Sequence, residues 1–313
     1  MDKVLLILPD NNKGKYISKA YSSAFADLSY FVIEKKIHNL NLEEVQKIAP
    51  DVIFCFFYDM KNNDTVIDFL NSYSNENTKI IACSELKSDI PECIQKKAYC
   101  FSSDDKRKKH NILLGVNKND YKEKFNGYKY SITFAGNPAY DNREKLLSTL
   151  ILNYGPINVF CRSFDFYKSV DEIHNKKLLD EYHLELYRVS YGGYVENQKE
   201  LSKIFISSKI NIDMINPNKN IINYRFFEIL ASGGFVLSPY NKLISHYFED
   251  GKEFETYSND YDLIDKIDFY LKNLDIAQAI AQKGKKNVAS NHSFYDRLKS
   301  MLKVIYGKNF SNR

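Results

Sequence analysis

Short apolar, β-branched runs alternate along the chain with longer stretches whose apolar positions recur every three or four residues. The first kind predicts strands and the second amphipathic helices. In the first third, strands are expected at Val4–Leu8, Tyr30–Glu34, Val52–Phe57, Lys79–Cys83 and Ala98–Ser102. Helices are expected after the polar loop Asp10–Lys15 as far as Asp27, over Leu42–Ala49 with Pro50 as its stop, and over Thr65–Tyr73. The run Val52-Ile53-Phe54-Cys55-Phe56-Phe57 is apolar at every position. Such a strand is buried on both faces, as in a parallel sheet covered by helices. The β-α-β rhythm implies a doubly wound α/β half.

Residues 104–130 change character, with a charge run at Asp104–His110 followed by a polar, glycine-containing stretch. A linker is expected there. The rhythm then restarts with strands at Tyr130–Ala135, Ile157–Cys161, Tyr187–Ser190, Ile210–Met214 and Phe235–Leu237. Helices are expected at Arg143–Leu152, Gln198–Ser207 and Ile222–Ser232, then over 261–273, 275–289 and 293–306. A length of 313 residues exceeds one core and fits two domains. The expected division is 1–125, 126–292, and a C-terminal helix at 293–313 that crosses back to the first domain. Two such halves would face each other across a cleft, with ligand loops at the carboxyl ends of the strands.

Charge adds little. A net charge of +4 is too mild for a nucleic-acid partner. No stretch approaches the length of a membrane span, and the N-terminal apolar run is too short for a signal peptide. A cytoplasmic protein is expected. The last helix mixes Leu298, Met301, Leu302 and Ile305 with Lys299 and Lys303, which is compatible with weak peripheral membrane contact. Five cysteines without a Cys-x-x-Cys pair read as reduced core residues, and no His/Cys cluster has zinc spacing.

Candidate chemistry concentrates in the second half. In Asn223-Tyr224-Arg225-Phe226-Phe227-Glu228, Arg225 and Glu228 share a helix face near its N-terminus. There the helix dipole favours anions, a guanidinium can grip a diphosphate, and a carboxylate can accept from two ribose hydroxyls. Gly233-Gly234 permits a tight turn into the next strand. The strand Ser131–Ala135 ends in Gly136-Asn137, a junction that brings backbone N–H groups near a phosphate. Arg162 follows the next strand, and Tyr194, Asn216 and Tyr224 stand in strand-end loops or at the helix start.

From Ser131 to Leu302 the chain resembles the C-terminal domain of GT-B glycosyltransferases of the CgeB-like, spore-maturation type. The resemblance rests on five ordered segments: Phe134-Ala135-Gly136-Asn137, Ser208–Asp213, Arg225–Gly234, Asp250-Gly251-Lys252-Glu253 and His292–Arg297. It implies the GT-B architecture of two Rossmann-like domains facing a cleft. It also implies transfer of a hexose or HexNAc from a nucleoside diphosphate sugar, most simply a UDP-sugar, to a glycan or protein acceptor. Glu228 would then hold the ribose, and Arg225 with the Gly136 loop the diphosphate. Eight residues before Glu228, where many retaining members carry glutamate, this chain has Asn220.

GT-B enzymes generally need no metal and no cofactor beyond the donor, because helix dipole and basic residues stabilise the leaving diphosphate. The string Asp260-Tyr261-Asp262 reads as a helix cap rather than a metal motif. An inverting reaction needs a general base, for which Asp10 and Asp59 follow the first and third strands. Alternatives are a sugar-nucleotide epimerase, which uses the same architecture, and a non-catalytic nucleotide- or glycan-binding subunit. Oligomeric state is not legible from the sequence.

Overall fold

The computed structural model describes residues 1–9, 12–57, 64–104, 109–112, 114–215 and 221–307, with backbone alone at 12 and 13. The chain forms two compact units, Met1–Asn117 with His292–Arg313, and Lys118–Asn291. Each is an α/β, Rossmann-like body around one parallel sheet.

The first sheet contains β1 (Lys3–Leu8), β2 (Phe31–Lys36), β3 (Val52–Phe57), β4 (Lys79–Ser84) and β5 (Tyr99–Ser102) in the order β2-β1-β3-β4-β5. Between them run α1 (Asn12–Asp27), α2 (Leu42–Ile48), α3 (Asp64–Ser72) and the short α4 (Glu92–Gln95). All six residues of β3 are buried, as its unbroken apolar run requires. Edge strand β2 has none fully buried and carries Glu34, Lys35 and Lys36. Leu5, Ile7, Ile53, Cys55, Phe57, Val66 and Leu70 form the core on one face. Helix α1 starts at Asn12, inside the stretch expected as a loop.

The second unit contains β6 (Tyr130–Ala135), β7 (Asn158–Phe160), β8 (Tyr191–Gly193), β9 (Ser208–Ile212), β10 (Val236–Pro239) and β11 (Glu255–Tyr257), ordered β11-β10-β9-β6-β7-β8. Its helices are α5 (Arg143–Tyr154), α6 (Ser163–Asn175), α7 (Glu181–Arg188), α8 (Gln198–Ile206), α9 (Tyr224–Ser232), α10 (Asp260–Lys272) and α11 (Leu274–Asn291). Two expectations fail here. Tyr187–Ser190, expected as a strand, contains the end of α7: Asp180 caps that helix through the His183 N–H, and Leu184 and Tyr187, three apart, are its buried face. The strand is the next three residues, β8, a sheet edge too short to show a period of two. Helices α6 and α7 fill a stretch for which no helix was expected, although Phe166, Val170 and Ile173 of α6 recur at helical spacing on its buried face.

The chain then returns to the first unit through α12 (Phe294–Tyr306), capped by Ser293, whose side chain accepts from the Asp296 N–H. Phe294 packs edge-on against Tyr21 of α1, with ring centroids 4.9 Å apart. The return is clamped to residues 114–116. Val116 donates to the His292 carbonyl (3.0 Å) and Phe294 donates to that of Val116 (3.1 Å). Gly115 is required there, since a Cβ would lie 2.8 Å from the Ser293 carbonyl carbon. Arg297 donates to the Leu114 carbonyl (3.4 Å) and to Nδ1 of His292 (2.6 Å). The closing His292–Arg297 segment is therefore a structural clamp.

Burial, reinforced by the neighbouring Arg297 charge, lowers the His292 pKa from 6.5 to about 3. A histidine depressed in the fold contributes stability that is complete above its unfolded pKa and is lost as pH falls through that window. His292→Gln keeps an acceptor for Arg297 but does not titrate. Between pH 7 and 5 the wild type is expected to lose about 2 kcal/mol relative to this variant, read from urea midpoints. A pH-independent difference would contradict the assignment.

Candidate functional site

In the second sheet the strand order reverses between β6 and β9: β7 follows on one side of β6, and β10 lies on the far side of β9. In open parallel sheets, the loops at the carboxyl ends of strands diverge at such a point and leave a crevice. The loop after β6 begins Gly136-Asn137, and the segment after β9 begins Asp213-Met214.

Arg143, the first residue of α5, ties these two strand ends together. Its Nη1 donates to the Asn137 carbonyl (3.1 Å) and its Nη2 to the Met214 carbonyl (2.7 Å). The guanidinium lies 5.4 Å from the Tyr140 ring and 5.7 Å from that of Phe134. A Cβ on Gly136 would stand 3.1 Å from the Phe134 ring and 3.5 Å from Nη1, so glycine leaves this guanidinium its space. Nε of Arg143 is buried and has no partner among the described residues. Burial lowers the Arg143 pKa from its ordinary value. Asp213 is the largest opposing influence, and Arg225 adds a like charge.

Asp213 is itself 2 % exposed. Burial raises its pKa, and hydrogen bonds from Asn223 and Ser238 with the Arg143 and Arg225 charges pull it back. Asn223 Nδ2 donates to Asp213 Oδ1 (2.6 Å), while Asn223 Oδ1 caps α9 by accepting from the Phe226 N–H (2.9 Å). One side chain thus fixes where the N-terminus of α9 sits relative to the end of β9. The first-turn N–H groups and the helix dipole make that end favourable to an anion.

Along α9, Arg225 Nη1 donates to Glu228 Oε2 (2.6 Å), and the guanidinium packs over Phe205 at 5.4 Å. Arg225 keeps 28 % side-chain exposure and Glu228 only 2 %. Oε1 of Glu228 accepts from Tyr121 (3.3 Å) and Gln198 (3.4 Å), and the hydroxyls of Tyr121 and Tyr224 are 3.3 Å apart. The helix ends in a Schellman turn: Gly233 and Gly234 donate to the carbonyls of Leu230 (2.9 Å) and Ile229 (3.0 Å), with Gly233 at φ 84°.

Of the residues picked from sequence, Gly136 and Asn137 follow β6, and Tyr224, Arg225 and Glu228 stand in the first two turns of α9. Arg162 and Tyr194 stand further along the same sheet edge, after β7 and β8, with the exposed guanidinium 5.7 Å from the Tyr194 ring. Asp10, Asp59, Asn216 and Asn220 lie outside the described residues. Asp260 and Asp262 stand in the first turn of α10, whose N-cap is Asn259: Asp262 accepts from the N–H and hydroxyl of Ser258, and Asp260 accepts from Thr149 of α5. No group of three potential metal ligands occurs among the described residues. No helix among them is long and apolar enough to cross a membrane.

Arg143, Asp213, Tyr121 and Gln198 went unassigned from sequence. Arg143 carried one signal, a cation at the start of the helix that follows the Gly136-Asn137 loop. Its decisive bond, to Met214, spans 71 residues.

The model of the glycosyl transferase-like family matches residues 143–303, just over half of the chain. No curated protein sequence matches it. Among solved structures, a glycosyltransferase from Rickettsia africae ESF-5 is similar at TM-score 0.65 and 12% identity, over 97% of this chain and 98% of that one. AviGT4, a glycosyltransferase of avilamycin A biosynthesis, is similar at TM-score 0.62 and 12% identity, over 98% of both chains. HepE of Anabaena, solved with UDP and glucose, is similar at TM-score 0.57 and 10% identity, over 98% of this chain and 100% of that one.

Proposed function

The chain belongs to the glycosyl transferase-like family, and on that premise we propose that it transfers a hexose or HexNAc from a UDP-sugar to a glycan or protein acceptor without a bound metal. The observation that carries this reading is the convergence of three cationic features on one crevice: the Arg143 guanidinium, the Arg225 guanidinium and the N-terminus of α9. Together they supply fixed positive charge where a nucleoside diphosphate leaves the sugar, which is the part a metal would otherwise play. Glu228, on the same helix, accepts from the ribose.

Uridine as the base is supported by the UDP bound to HepE, a protein of the same fold. The five ordered segments favour the CgeB-like branch. In this reading the first unit carries the acceptor, and a general base, where the stereochemistry needs one, comes from Asp10 or Asp59. These follow β1 and β3, neighbours at the order reversal of the first sheet.

Calorimetry with UDP-, GDP-, dTDP- and CDP-sugars tests the reading. UDP-sugars should bind best, and the absence of binding by every member at millimolar concentration would end it. Arg143→Gln should weaken UDP about ten- to a hundredfold, the loss of a charged hydrogen bond, while uridine affinity stays unchanged. Equal losses for UDP and uridine would place Arg143 away from the diphosphate.

A further inference from the structure

Glu228 is needed as an acceptor for ribose hydroxyls, yet in the unliganded protein its carboxylate is covered. Its Oε2 is engaged by Arg225 at 2.6 Å, a charge-assisted bond at the short end of the usual range. Its Oε1 is held differently. The Tyr121 hydroxyl donates to it at 3.3 Å and Gln198 at 3.4 Å, both longer than an optimal hydrogen bond. Tyr121 and Tyr224 are each only 6 % exposed and Glu228 2 %, so the contact lies away from water. Their two hydroxyls, 3.3 Å apart beside a carboxylate, present what a vicinal diol presents: two adjacent oxygens, one of which donates. Tyr121 does not belong to the strand–helix frame around the sheet. It follows the short turn Lys118–Asp120 in the segment leading to β6.

We propose that Tyr121 is an internal competitor of the donor ribose for Oε1 of Glu228, and is thereby a specificity-determining residue for the sugar of the nucleotide. The inference rests on the assignment of Glu228 to the ribose. Donor binding exchanges one hydroxyl for another on the same carboxylate oxygen. Such an exchange gains little, because the free protein already satisfies the acceptor. The site's preference for ribose over deoxyribose is muted as a result. Removing only the Tyr121 hydroxyl takes that donor away from Oε1 in the free protein. A ribose hydroxyl then no longer has to displace it.

The test is calorimetry of the full chain with UDP and 2′-deoxy-UDP. The quantity read is the ratio of the two dissociation constants, deoxy over ribo. In Tyr121→Phe, which keeps the ring and its packing, that ratio should widen about five- to tenfold over wild type. Tyr121→Leu, a second route to a side chain without the hydroxyl, should widen it in the same direction. An unchanged ratio, or a narrower one as expected of a tyrosine that merely orients Glu228, overturns the proposal while leaving the donor site intact. If wild type and variants all fail to bind UDP, the donor reading falls and the inference falls with it.

Discussion

Glu228→Ala is expected to abolish measurable transfer and to weaken UDP about ten- to a hundredfold. A hydrogen bond to a charged acceptor contributes about 1.5–3 kcal/mol; the ribose hydroxyl on Oε1 only replaces the one Tyr121 already gives, so the loss is about that of the single bond to the other oxygen. The loss should fall on the nucleoside: uridine affinity collapses, while inorganic diphosphate, held by Arg143, Arg225 and the start of α9, is retained. The same change has a stability cost. Arg225 loses its 2.6 Å partner, and its side chain is only 28 % exposed. Breaking one side of a largely buried pair costs about 2–4 kcal/mol. Glu228→Gln preserves shape and a weaker acceptor, so it separates the two effects. It should recover most of the stability in urea denaturation and little of the uridine binding. Parallel recovery of both would mean that Glu228 acts through the fold alone.

Gly284→Ala is expected to be the most destabilising single methyl addition in the second unit. A Cβ there would stand 2.2 Å from the Glu253 carbonyl oxygen and 2.8 Å from Cδ2 of Leu230. The carbonyl cannot retreat easily. The Glu253 carboxylate accepts from the Glu249 N–H and from Asn287 of α11, so its segment is tied to the helix that carries Gly284. Leu230 belongs to α9, and α11 is the helix packed along it. Overpacking of this kind costs about 3 kcal/mol. The measurement is a urea midpoint, with UDP calorimetry on the same sample. The displaced α9 should also weaken UDP, since it carries Arg225, Glu228 and the anion-binding N-terminus. A variant as stable as wild type would mean that α11 slides on α9 at no cost.

Much of this protein was legible before any coordinates. The all-apolar Val52–Phe57 announced a doubly covered strand because both its faces are wrapped in helices. The Arg225–Glu228 pair was legible because an i,i+3 contact depends only on helical geometry, and it forms. Gly233-Gly234 was legible for the same local reason, a left-handed turn that glycine adopts without steric penalty.

Other features had no local signal. The edge strands β8 and β11 have three residues each, too few for any period, and α7 was mistaken at its end for a strand because its apolar spacing is irregular. The clamp that returns α12 to the first unit joins Arg297 to Leu114 across 183 residues. The crevice itself depends on strand order, which places β9 beside β6 although β7 and β8 lie between them in the chain.

The sequence by itself determined the α/β class, the glycosyltransferase character though not the branch, and the helix bearing Arg225 and Glu228, because each is written in local periodicity or an ordered motif. The tertiary structure alone decided what that helix faces. Arg143 meets Met214 across 71 residues because two distant strand ends are brought to one edge of a sheet, and Tyr121, in the segment leading to β6, meets Glu228 of α9 across 107.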